Sequence, residues 1–179
     1  SLSLVRSFLS GIVSILDRTS PAEITFDLTH SLTHSLSMLL QGRLHKKCVE
    51  ILEGINLEYT RPNRLDYAKC KHIEATLVFL PAHDIPHYVS NGNVDLGITG
   101  EDMIRETGAN AKVEMKLGFG KCKLCLLAPK EKLDEVRGDK MAGKRIVTSF
   151  TNISADYFKH LTPPPKIRYV SGSVEVACT

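Results

Sequence analysis

The chain contains no tryptophan, and its few Phe and Tyr residues are scattered rather than interleaved with Arg and Lys. A net charge of +3 with no long basic run gives no electrostatic footprint for nucleic acid. No apolar stretch approaches the roughly 18 residues that a membrane-spanning helix needs, so no membrane partner is expected. A paired cysteine framework is missing as well. The cysteines at 48, 70, 122, 125 and 178 are odd in number and irregular in spacing, which points to free thiols in a reducing, cytoplasmic compartment. Cys122-Lys123-Leu124-Cys125 has no second Cys or His pair at zinc spacing. Strand alternation would turn its two sulfurs to opposite faces, so no metal site is expected there. A Ser-His-Asp set, a Walker loop, a full dinucleotide fingerprint and an initiator Met are also lacking.

What remains is ordinary for a globular protein. Hydrophobic residues make up 42% and charged residues 24% of 179 positions, enough for one domain or two small lobes with a real core. Residues 1–37 differ from the rest. Leu4, Val5, Phe8, Ile12 and Ile15 are spaced to share one face of a short helix, and His30 and His34 belong to a Thr-His-Ser repeat of low complexity. This segment is expected to be irregular or disordered.

From residue 38 the pattern is regular. Leu44, Cys48, Ile51, Leu52 and Ile55 fall at helical spacing, with Gly54 and Asn56 as a stop. Strands are expected at 76–80, 94–98, 113–119, 122–128, 145–149 and 167–170. Helices are expected at 84–90, 101–106, 132–137 and 152–160. Alternation of this kind implies an α/β fold with substantially parallel pairing. Strands 113–119 and 122–128 are too close for a crossover helix, so they form an antiparallel pair or mark a change of lobe. The expected organisation is a first lobe over 38–107 and a second over 108–179, with ligands at strand carboxyl ends.

The most informative stretch is Val94-Asp95-Leu96-Gly97-Ile98-Thr99-Gly100-Glu101-Asp102. It reads as a buried strand that turns through two glycines directly into a helix. Gly97 and Gly100 leave room for a ligand to approach the backbone, Thr99 adds a hydroxyl, and the helix start offers free N–H groups to an anion. The same pattern is met by a tight turn capped at Gly100. Two further segments share this double reading. Arg43, in Gly42-Arg43-Leu44, is a forked phosphate donor or a solvated helix residue. Ser171-Gly172-Ser173-Val174-Glu175 is a hydroxyl-rich anion loop with a carboxylate, or a turn with Ser173 as N-cap. Asp84, ahead of Ile85-Pro86, either caps a helix or accepts from a ligand hydroxyl or amino group. Arg61 and Arg64 read as loop charges.

In order, these segments resemble ATP phosphoribosyltransferase, and more its fungal, long-form branch. The matching pieces are 42–44, 60–66, 77–86, 94–101, 117–124, 143–150 and 170–177, covering roughly residues 40 to 179. The resemblance implies a two-lobed fold of the type II periplasmic-binding-protein kind, here incomplete. It implies transfer of phosphoribosyl from phosphoribosyl pyrophosphate (PRPP) to N1 of the ATP adenine, with pyrophosphate released and Mg²⁺ present. It places Arg43, Asp84, Gly97, Thr99, Gly100 and Ser173 at the substrates, and Glu175 as the catalytic carboxylate. It also implies a homo-oligomer. The first 37 residues match nothing in the family, and its Thr-Gly-rich phosphoribosyl loop would follow Thr179, so an impaired, partial enzyme is expected. The alternatives are a non-catalytic nucleotide- or solute-binding protein of the same architecture, or a regulatory subunit.

Overall fold

A computed structural model describes residues 2–8, 12–17, 34–40, 42–62 and 65–172. For 2–8, 12–17 and Arg43 the description is of the backbone path. The chain divides into two compact units, one of residues 11–120 and one of residues 1–10 with 121–179.

In the 11–120 unit the strands are β2 (Ile12–Asp17), β3 (His34–Leu39), β4 (Tyr59–Thr60), β5 (Tyr67–Cys70), β6 (Ala75–Leu80), β7 (Leu96–Gly100) and β8 (Ala111–Lys116), in the order β4-β5-β6-β3-β7-β2-β8. Short apolar runs such as Thr76-Leu77-Val78-Phe79-Leu80 suit parallel strands covered on both faces. Accordingly β3 lies parallel to β6, from His34 opposite Ala75 to Leu39 opposite Leu80, and parallel to β7. Three carboxyl ends thus meet at one edge. Helix α1 (Arg43–Gly54) follows β3 and buries Cys48 and Leu52, while Lys46, Lys47 and Glu50 face water. It stops where Asn56 takes φ 55, a left-handed geometry that asparagine tolerates. Helices α2 (Ile85–Ser90) and α3 (Glu101–Thr107) follow β6 and β7, and Gly108 at φ 65 ends α3. The core gathers Met38, Leu77, Phe79, Ile85, Val89 and Ile98. Each such side chain contributes about 1.5–3 kcal/mol by leaving water.

The second unit has the strand order β11-β10-β1-β9, from β1 (Leu2–Phe8), β9 (Lys123–Leu127), β10 (Arg145–Thr148) and β11 (Lys166–Tyr169). Helix α4 (Thr151–Phe158) joins the parallel pair β10 and β11, and Met141, Ile146, Phe158 and Leu161 form the core.

Three expectations are corrected. Residues 2–8, 12–17 and 34–39 are strands, not part of a helix or an irregular leader. Short apolar runs do not distinguish the two periods, and here sheet neighbours decide: β1 pairs with β9 and β10, β2 with β7 and β8. The boundary falls between Gly120 and Lys121, not after 107, because β8 completes the sheet of the 11–120 unit through β2. β8 and β9 belong to different sheets, so they form no antiparallel pair. The helix expected at 132–137 is 3-10 geometry over Lys130–Glu135.

Candidate functional site

The carboxyl ends of β3, β6 and β7 bring three of the expected segments to one edge of the 11–120 unit: Gly42-Arg43 after β3, Asp84 after β6, and Thr99-Gly100 at the end of β7. Gly42 stands at φ 101, where an L side chain is strained, and hands the chain into α1 with its carbonyl accepting from the His45 amide at 3.1 Å. His45 is fixed in turn, its Nδ1–H donating to the Leu39 carbonyl at 2.6 Å.

Asp84 does not act as a side-chain cap. It sits at the N-cap of α2, yet its carboxylate makes no capping bond. Instead Oδ1 accepts from His83 Nδ1 at 2.8 Å, and the side chain is 42% exposed. The helix is started by Pro86 and by backbone bonds, including the Tyr88 amide to the Asp84 carbonyl. A carboxylate free of its structural duty thus stands at the strand ends.

The β7 bend differs from the open seat read in the sequence. A Cβ on Gly97 would lie 2.7 Å from Ile85 Cγ2, 2.9 Å from Val89 Cγ2 and 3.1 Å from Ser37 Oγ, so this glycine lets α2 pack on the sheet. Thr99 is fully buried and donates its hydroxyl to the Ala82 carbonyl at 2.9 Å, tying β7 to the loop that carries Asp84. The space beside Gly100 is filled by the Asp102 carboxylate, which also accepts from the Met103 amide at 3.0 Å. The turn is therefore completed by its own side chains. Glu101 is engaged by Arg105 at 2.9 Å and Lys116 at 3.3 Å.

One residue read as a plain loop charge has defined surroundings. Arg61 lies with Cζ 4.1 Å from the centroid of the Phe79 ring, donates from Nε to the Leu65 carbonyl at 2.9 Å, and reaches Asp66 Oδ1 from Nη2 at 3.3 Å. No sequence signal pairs Arg61 with Phe79, eighteen positions on. A concavity of about 560 Å³ lined by Val49, Glu53, Asn56, Leu57, Glu58, Tyr59 and Lys71 lies by the end of α1. Lys71 bonds Glu58 there and holds its carboxyl below the usual range.

Ser173 and Glu175 lie outside the described residues. Among the described residues no three His, Cys, Asp or Glu side chains converge as a metal cage. Cys125 is a free thiol. No helix of the described residues is long and apolar enough to cross a membrane.

The profile of the family described as HisG, ATP phosphoribosyltransferase, matches residues 81–179. The ATP phosphoribosyltransferase of Candida albicans is 46% identical over 141 residues, covering 77% of this chain and 47% of that protein. That of Saccharomyces cerevisiae is 40% identical over 144 residues, covering 77% and 48%. The chain therefore spans about half the length of the curated relatives it matches. Among solved structures, a chain of the ATP phosphoribosyl transferase (HisG:HisZ) complex from Thermotoga maritima superposes with a TM-score of 0.61 at 22% identity, covering 80% of this chain and 67% of that one. That likeness shows the fold, the two-lobed α/β class read from the sequence. By the profile match and the fungal relatives, the chain belongs to the ATP phosphoribosyltransferase family.

Proposed function

We propose that this chain carries the nucleotide-binding part of an ATP phosphoribosyltransferase acting in the first step of histidine biosynthesis. In that reaction N1 of the ATP adenine attacks C1′ of PRPP. A C–N bond forms, the C1′–O bond to pyrophosphate breaks, and pyrophosphate leaves. Positive charge develops on the ribose ring and negative charge on the leaving group, so the protein's task is orientation and electrostatics rather than covalent attack.

Asp84 is the observation that carries the reading. Its half-exposed carboxylate at the end of β6, released from helix capping, is an acceptor for the adenine amino group or a ribose hydroxyl. Arg43 at the start of α1 supplies a forked donor for phosphate oxygens. Gly97, Thr99 and Gly100 act by holding the bend and the Asp84 loop in register. Ser173 and Glu175 are proposed for the phosphoribosyl group, Glu175 as the carboxylate beside the reacting ring. Mg²⁺ keeps much of its water and binds phosphate oxygens readily, so it enters as the counter-ion of PRPP. A cytoplasmic homo-oligomer fits this reading.

Calorimetric titration with ATP tests the binding half, and the absorbance of phosphoribosyl-ATP tests turnover, both on this chain and on one continued through the family's Thr-Gly loop. Saturable ATP binding is expected, with product from the longer chain. Absence of ATP binding by either chain overturns the proposal; binding without product from the longer chain points to a non-catalytic nucleotide binder.

A further inference from the structure

We infer that Arg61 is a pre-aimed phosphate contact for the nucleotide bound at the carboxyl strand ends; the inference rests on the nucleotide reading above. β4 and β6 are each antiparallel to β5, so they run the same way and end at the same edge. Arg61 directly follows β4, at the edge where Asp84 follows β6. The Phe79 amide donates to the Asp66 carbonyl at 2.7 Å, which pins the far end of the Arg61 loop to the end of β6.

The guanidinium is held on three sides. Phe79, 1% exposed and itself in ring contact with His45 and Tyr59, is a rigid platform beneath it. Leu65 and Asp66 take one hydrogen each from Nε and Nη2. A guanidinium has five N–H donors, so three remain, on a side chain 32% exposed. An arginine free in solvent loses much rotamer freedom when it grips a ligand. Here that ordering is complete beforehand, so a phosphate meets a fixed fork. Asp66 is 68% exposed, and water screens its charge too well for it to cancel the cation. Stacking on an aromatic ring with open N–H groups suits planar, two-oxygen recognition of phosphate.

The rival reading is a purely structural tie of the 61–66 loop. The test compares ATP with adenosine, which has the base and ribose but no phosphate, on the wild-type chain and on Arg61→Met. A phosphate contact predicts that the variant binds ATP about tenfold more weakly or worse while adenosine binding stays within about twofold. Equal losses for both ligands, or no loss, overturn it. Phenylglyoxal labelling of the wild-type chain, with Arg61 read by peptide mass, needs no variant to fold. ATP is expected to protect Arg61 and adenosine is not; equal labelling of Arg61 with and without ATP overturns the inference. A wild-type chain that binds no ATP brings down the nucleotide reading itself, a result distinct from ATP binding that ignores Arg61.

Discussion

Replacing Gly97 with alanine adds one methyl group near the start of β7, on the side that receives α2. The added carbon would stand 2.7 Å from Ile85 Cγ2 and 2.9 Å from Val89 Cγ2, well inside normal carbon contact. Both methyls belong to β-branched, fully buried side chains with stiff χ1 angles, so neither swings away without moving the helix. Overpacking of this kind costs about 1–3 kcal/mol. Against it stands the loss of glycine's freedom in the unfolded chain, which stabilises by about 0.4–1 kcal/mol where the backbone geometry is compatible. Gly97 is not at positive φ, so that gain applies. The net expectation is destabilisation of about 1–2 kcal/mol, or a Tm lower by about 2–8 °C for a chain of this size. Urea unfolding gives the number. Because Val89→Ala removes one of the two blocking methyls, the double variant should be less destabilised than the sum of the singles. A Gly97→Ala chain as stable as wild type, or additive behaviour with Val89→Ala, refutes the packing role of this glycine.

Asp84→Asn leaves α2 intact, since no cap bond is lost, and weakens ATP binding by about tenfold in the calorimeter; unchanged affinity removes Asp84 from the site. Thr99→Val leaves the half-buried Ala82 carbonyl without its donor and costs about 1–2 kcal/mol in urea unfolding, whereas a neutral change means that the hydroxyl does not hold the Asp84 loop. Burial pushes the Cys48 thiol from its ordinary 9.0 up to about 11. The folded state thus favours the protonated thiol: its contribution is complete below pH 9 and is lost as pH rises toward 11, on the order of 2–3 kcal/mol. Urea midpoints at pH 8 and pH 10.5 should diverge more for wild type than for Cys48→Ala, and equal divergence contradicts the burial.

The regular interior was legible because its signals are local. The i, i+4, i+8 spacing of Leu44, Cys48 and Leu52 gave α1, and the compact run before Pro81 gave β6, each within a residue or two. Features set by distant partners were not. Leu2–Phe8 and Ile12–Asp17 become strands through neighbours far along the chain, and β4 and β5 are too short to show a period. Gly97 and Gly100 looked like openings for a ligand, because sequence does not show that Ile85, Val89 and Asp102 occupy the space beside them. For Asp84 the sequence favoured helix capping, and only the direction of its carboxylate, toward His83 rather than the α2 amides, shows that the cap bond is not made. Arg61 was legible as a loop charge but not as a group fixed on Phe79.

On the proposed function, ATP binds at the edge where β3, β6 and β7 of the 11–120 unit end. Titrating ¹⁵N-labelled chain with ATP and mapping the amide shifts locates the bound nucleotide. Saturable perturbations clustered at residues 42–45, 61, 82–85 and 99–102 are predicted. A saturable response confined to other parts of the chain, or none at all, rules out ATP binding at this edge.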